Sequence, residues 1–187
     1  MQNATLKPYL RENLDILFVG LNPAKGSNDN HHYFSVNQSF WKQLTESGLL
    51  NESISKDTAD ITVFGSNNIN YKGWCYGITD LVTEIAESNS RNVKIEDKHC
   101  IKLFEDIRTY NPKVVIFLHQ KATKTFLKFL HHSPQKANCG CLGKIIPDCD
   151  SMIFSIGFPH GSSIPSIEKV AKYIEVKEYI NKLIDNS

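Results

Sequence analysis

The sequence predicts an α/β fold, a three-layer α/β/α sandwich around a short, mostly parallel central sheet. Three runs carry that reading: LDILFVGL (residues 14–21), KVVIFLH (113–119) and SMIFSIGF (151–158). Each is apolar almost throughout, the pattern of a strand buried on both faces. Between and after them apolar residues recur at helical spacing. Buried strands separated by amphipathic helices pair in parallel, with helices on both sides of the sheet.

In chain order, residues 14–21 form the first strand. QSFWKQLTESGLL then sets Phe40, Trp41 and Leu44 on one helical face, and Gly48 supplies a stop. GWCYGITDLV (73–82) reads as a turn-rich segment with a short apolar end. Ile95, Cys100, Ile101, Phe104 and Ile107 make a helical stripe. Asn111-Pro112 ends it, because proline cannot continue a helix. The second strand follows, then the helix QKATKTFLKFL, a loop and the third strand. A last helix starts near Pro165-Ser166 and carries Ile167, Val170, Ala171, Ile174, Ile180 and Leu183. No repeat, low-complexity tract or linker interrupts the 187 residues, so residues 1–187 read as a single domain.

Composition bounds the function classes. Apolar residues make up 41% and charged residues 22%, as in ordinary soluble globular proteins. No run approaches the ~20 apolar residues of a membrane helix, so no membrane partner is expected. The N-terminus lacks the basic start and apolar centre of a secretory signal. Five cysteines without a leader point to reduced thiols. The expectation is a monomer that is cytoplasmic or nucleoid-associated in a bacterium, nuclear in a eukaryote. Net charge is +1, which by itself demands no polyanionic partner. Residues 107–147, however, carry Arg108, Lys113, Lys121, Lys124, Lys128, Lys136 and Lys144 and no acid. That segment is either a positive face for phosphates or a solvated lysine face.

In a parallel sheet the ligand site lies beyond the carboxyl ends of the strands. That rule selects residues 20–23, His119 and residues 159–165. GLNPAKG after the first strand is neither of the common phosphate-loop patterns, and no GxSxG elbow is present. What stands there is Asn22 before Pro23, a pairing that pushes the asparagine towards extended backbone. An amide is no strong base, but its carbonyl oxygen can hold and orient a water. Tyr33, Phe34, Phe40 and Trp41 follow, rings able to stack on a planar group. The combination suggests water attacking something planar in an aromatic slot.

These motifs, taken in order, resemble the uracil-DNA glycosylase superfamily, most closely its thymine-DNA glycosylase and mismatch-specific branch. The shared segments are GLNPA, HHY at residues 31–33, QSFW at 38–41, ESGLL at 46–50 and YGITDLV at 76–82. YNPKVVIFLHQKATKTF is similar to the family's central strand and helix. FPHGSSIPS (158–166) is closer to the Pro-His-Pro-Ser-Pro-Leu segment of classical uracil glycosylases, with Gly161 and Ser163 where prolines stand there. Ala24 replaces the family's usual glycine.

The resemblance implies a monofunctional DNA base glycosylase acting on DNA with a damaged or mismatched base, without cofactor or metal. It implies that Asn22, helped by Thr79, positions water and that His160 stabilises the departing base. Gly20, Leu21, Pro23, Tyr33, Phe34 and Gln38 would bind the base. Gly161, Ser162, Ser163 and Ile164 would meet DNA, with Ile164 as a wedge in the emptied stack. Each residue also has a plainer reading: Asn22 as a turn residue, Tyr33 as core, Thr79 as a helix cap, His160 as a loop histidine, Ile164 as a staple on the last helix. Two other functions stay open, a catalytically weak relative that binds nucleic acid or a free base, and an unrelated hydrolase or small-molecule binder on a similar sheet. Cys139, Cys141 and Cys149 lack the usual paired ligand spacing and read as ordinary thiols.

Overall fold

A computed structural model describes residues 2–132 and 140–186. Its strands are β1 (Gln2–Asn3), β2 (Ile16–Gly20), β3 (Tyr76–Asp80), β4 (Ile85–Ala86), β5 (Val114–Phe117), β6 (Gly140–Gly143) and β7 (Met152–Ser155). The helices are α1 (Lys25–Asn30), α2 (Ser39–Glu46), α3 (Asp97–Tyr110), α4 (Gln120–Phe129) and α5 (Ser166–Asp185). One turn of π-helix, Ile61–Ser66, lies between α2 and β3.

Five strands form the central sheet in the order β3-β2-β5-β7-β6. All neighbours run parallel except β6, which is antiparallel to β7. β1 and β4 pair separately. Side chains alternate across β2, so Ile16 and Phe18 enter one core and Leu17 and Val19 the other. The first core joins the sheet to α2 and α5 through Phe40, Trp41, Leu44, Tyr173, Val176 and Ile180. The second joins it to α3 and α4 through Leu103, Ile107 and Phe126. The expected three-layer α/β/α arrangement is therefore present.

Three local readings change. Residues 76–80, read as part of a turn-rich segment, form β3, and all five are buried. Gly77 and Asp80 hide its strand character, and the glycine has a packing reason. A Cβ on Gly77 would lie 2.6 Å from the carbonyl oxygen of Tyr9, where the N-terminal segment covers the outer edge of β3. Second, Ile167 is 77% exposed, because α5 buries the stripe Val170, Tyr173, Val176 and Ile180, and Ile167 falls outside it. Ile101 likewise faces outward from α3, which buries His99, Cys100, Leu103 and Ile107. Third, β6 (GCLG) extends the sheet although its composition carries no strand signal.

Candidate active site

The carboxyl ends of β2, β3, β5 and β7 open into one cleft of about 620 Å³. Gly20, Leu21, Asn22 and Pro23 line it from β2, Asp80 from β3, His119 from β5 and residues 157–164 from β7. The three places selected by the strand-end rule thus meet in one cavity.

Asn22 is held by its amide nitrogen. Nδ2 donates to the carbonyls of Pro23 (2.9 Å), Ile85 (3.3 Å) and Glu87 (2.8 Å). Only a nitrogen can face three carbonyl oxygens, so the orientation of the amide is fixed. Oδ1 meets no donor among the described residues and is left to accept one from the cleft. Backbone pairing of Gly20, Leu21 and Pro23 with Leu81, Val82 and Glu87 continues past the strand ends and holds this segment. Ala24, in the family's glycine position, has φ −71° and ψ 144°, a conformation open to any residue. The substitution adds no backbone strain.

Thr79 does not reach the cleft. It pairs with Val19 in the register of β2 and β3, is 1% exposed, and its hydroxyl donates to the carbonyl of Asp80 at 3.4 Å. Strand alternation puts the next residue on the cleft side instead. Asp80 stands opposite Gly20, and a Cβ at Gly20 would lie 2.1 Å from Asp80 Oδ1. Glycine is required there by the close approach of the carboxyl group. Oδ2 is buried without a hydrogen-bond partner, and burial pushes the carboxyl up to about 7. Glu87 lines the same cleft in the opposite state. The Asn89 N–H and Lys25 hold its carboxyl below the ordinary value.

The aromatic segment is pinned from behind. Buried Asp60 accepts from His32 Nδ1 (2.9 Å) and from the backbone N–H groups of Tyr33 and Ile61 (3.0 Å each). Tyr33 is 5% exposed and lines the cleft wall, and burial raises its phenol well above the ordinary value, with Asp80 and Asp60 adding to the shift. Phe34 is half-buried, stacked on Phe40 at 4.1 Å, with φ +52°. Positive φ in a bulky residue is a strained backbone. The Trp41 indole N–H donates to its carbonyl at 3.3 Å and helps to hold it. Gln38 lies outside the cleft. Its side chain donates to Ile54 and accepts from Lys56, tying the start of α2 to a surface loop.

On the far wall, His160, Gly161, Ser162 and Ser163 are exposed at the cleft mouth. Gly161 has φ +67°, which proline cannot adopt, so this loop differs in backbone from a proline-rich one. Ile164 is folded inward, its Cδ1 3.0 Å from where a Cβ on Gly157 would stand. Two buried side chains clamp the loop's base. Gln43 Nε2 donates to the Pro159 carbonyl and the Ser166 hydroxyl, and Lys169 Nζ donates to the carbonyls of Phe158 and Pro159.

His119 is a second imidazole in the cleft. Its Nδ1 accepts the Lys121 N–H at 3.1 Å, and burial, with Lys121 next, lowers its pKa. A neutral ring with Nδ1 accepting carries its hydrogen on Nε2, a donor. His119 and His160 flank the Phe158 ring, at 6.2 and 5.0 Å between centroids.

The sequence signals that had no partner in this cleft resolve as structure. Lys113 pairs with Asp15, Lys144 with Asp150, and Lys121 donates to the carbonyls of Ser90 and Val93. Lys136 lies outside the described residues, which leaves Arg108, Lys124 and Lys128 exposed. Cys139 also lies outside them, and among the described residues no group of three His, Cys, Asp or Glu side chains could hold a metal. No helix among them is long and apolar enough to cross a membrane. Asp80, Gln43, Lys169 and Asp60 were not legible as site residues. His119 was selected by its place at a strand end and does line the cleft.

A family model described as the uracil DNA glycosylase superfamily matches residues 7–182. No curated protein matches the chain.

Proposed function

The chain belongs to the uracil DNA glycosylase superfamily, and from that premise we propose that it is a monofunctional DNA base glycosylase. Membership supports a DNA glycosylase-like role. The observation that carries the finer reading is Asn22, whose nitrogen is engaged by three carbonyls while its oxygen stays available to the cleft. In this reading Oδ1 accepts a hydrogen bond from a water and aims its lone pair at the sugar C1′ of an extruded nucleotide. The C1′–N bond breaks with its electron pair leaving on the base, and the water oxygen bonds to C1′. That oxygen loses a proton to solvent, and the base is released with an abasic sugar left in the strand.

The cleft supplies what such a transition state needs. Phe34, backed by Phe40, stacks on the base, and Tyr33 closes the wall. His119 Nε2–H and His160 are the side-chain donors for charge on the departing ring, an effect often worth ~3 kcal/mol per donor. No lysine is among the described residues that line the cleft, and Lys25 beside it is paired with Glu87 at 3.5 Å, so this reading needs no covalent imine with the sugar. Abasic DNA without strand nicking is the expected product. The exposed loop of residues 160–163 would meet the strand, with Ile164 swinging outward as the wedge.

The test is base release from end-labelled oligonucleotides carrying uracil, thymine opposite guanine, or hypoxanthine, in single and double strands. The wild type should create alkali-labile sites, and Asn22→Ala should lower the rate by about a hundredfold or more. DNA binding without release in either protein would favour the catalytically weak relative.

A further inference from the structure

We propose that Glu87 is a further catalytic residue: its carboxylate accepts the proton that the attacking water loses on bonding to the sugar C1′. This rests on the glycosylase reading for the reaction. It goes beyond that reading in giving the proton an acceptor on the protein in place of solvent.

Asn22 alone serves the water only in part. Its Oδ1 holds the water by accepting one hydrogen, but an amide oxygen has no useful basicity at neutral pH. Once the water oxygen has bonded to C1′ it carries positive charge, and its proton must go to a stronger base. Glu87 is the acid placed next to that amide. Its backbone carbonyl accepts from Asn22 Nδ2 at 2.8 Å, and its backbone N–H donates to the Pro23 carbonyl at 3.0 Å. The residue that helps to fix the water-holding amide therefore brings a carboxyl group to the same cavity.

The carboxyl is anchored through one oxygen. Oε1 accepts the Asn89 N–H at 2.9 Å, while Oε2 meets Lys25 Nζ at 3.5 Å. The second distance is longer than the ~2.7–2.9 Å of a tight charge-assisted hydrogen bond. Rotation about the Asn89 anchor carries Oε2 toward a water held ~2.8 Å from Asn22 Oδ1. The two carboxyls that line the cleft also differ in state. Burial raises Asp80 to about 7, whereas the Asn89 N–H, and then Lys25, hold Glu87 below the ordinary glutamate value. Glu87 is thus the one that is ionised and ready to accept a proton at neutral pH. Its negative charge also favours the positive charge that develops at C1′. In the step, the C1′–N electron pair leaves with the base and a lone pair of the water oxygen forms the C1′–O bond. One O–H electron pair stays on that oxygen as its proton moves to Glu87. The departed base takes a proton from solvent, and Glu87 returns its own to solvent.

The experiment measures single-turnover base release at neutral pH with enzyme in saturating excess. The substrate is whichever of uracil, thymine opposite guanine, or hypoxanthine the wild type releases fastest. Glu87→Gln keeps the size and an acceptor oxygen but not the basicity, and should slow release about a hundredfold. Its affinity for the same strand with a 2′-fluorine on that nucleotide, which destabilises a cationic sugar and blocks cleavage, should match the wild type's. In Glu87→Ala, formate is a carboxylate small enough for the vacated space. It should raise the rate about tenfold over chloride at equal ionic strength. Lys25→Met, which removes only the ion pair, should release base within about fivefold of the wild-type rate. A Glu87→Gln rate equal to the wild type's, or a fall in rate matched by a fall in affinity, overturns the proposal. So does formate with no advantage over chloride, or a Lys25→Met loss as large as that of Glu87→Gln. Any of these results beside wild-type release removes only the role of Glu87. No release by the wild type from any of the three substrates removes the glycosylase reading, and the proton acceptor with it.

Discussion

Asn22 and Asp80 stand on neighbouring strands with opposite problems. Asn22 has its two amide hydrogens shared among three carbonyls and an oxygen to spare. Replacing it with aspartate, a better base, removes the N–H groups and turns an oxygen towards three carbonyls. Asn22→Asp should therefore lose about 1–3 kcal/mol of stability, read by denaturant unfolding at neutral pH. Asp80 carries a buried carboxyl raised from 3.8 to about 7. Its folded pKa lies above the unfolded one, so the native state binds the extra proton. Stability is greatest below the unfolded pKa and is lost as pH rises through the folded value. Asp80→Asn removes that dependence. The variant should gain on the wild type by up to a few kcal/mol at pH values above about 7, with the gain shrinking towards pH 4. Melting curves at several pH values give the sign.

At the scale of elements, the site depends on how α2 and α5 grip the loop after β7. Gln43 comes from α2 and Lys169 from α5, and both give hydrogen bonds to the Pro159 carbonyl. A lysine that is 2% exposed is held there by its backbone partners. Lys169→Met keeps the length and apolar stem of the side chain and removes the ammonium donors. Amide exchange across residues 160–164 should speed up by about tenfold while the sheet stays protected, and base release should fall with it. Unchanged exchange in that loop would show that the helix contacts alone hold it. The same two helices explain why Ile167 faces outward: the buried face of α5 follows Tyr173, Val176 and Ile180 against α2, and Ile167 lies off that stripe.

For the whole molecule, electrostatics is the weakest feature. Net charge is +1, and three of the seven cations in residues 107–147 are engaged with carboxylates or backbone carbonyls. Arg108, Lys124 and Lys128 remain exposed on the helices. Within residues 107–147 these three are the described cations left to displace counterions. DNA contacted through that segment alone should be bound with a log–log salt slope no steeper than about −3. A steeper slope in a fluorescence anisotropy titration would show more phosphates engaged than these residues provide. Specificity then rests on the cleft rather than on long-range attraction.

Periodicity alone determined the α/β class, three of the sheet's strands and the end of the sheet where the cleft lies, because continuous apolar runs can only be buried on both faces. The order of motifs from residue 20 to residue 41 pointed to the uracil DNA glycosylase superfamily, and the match over residues 7–182 bears out the superfamily. Tertiary structure decided which side chains share the cleft. Thr79 and Asp80 are adjacent in sequence, and the pleat of β3 sends them to opposite faces. No single-sequence signal could choose between them, since the segment is short and broken by Gly77. Gln38 left the cleft for a surface loop, whereas Gln43, Lys169 and Asp60 entered its support through contacts more than ten residues distant in sequence. Such contacts follow from how layers stack, and a one-dimensional pattern carries strand faces but not their neighbours.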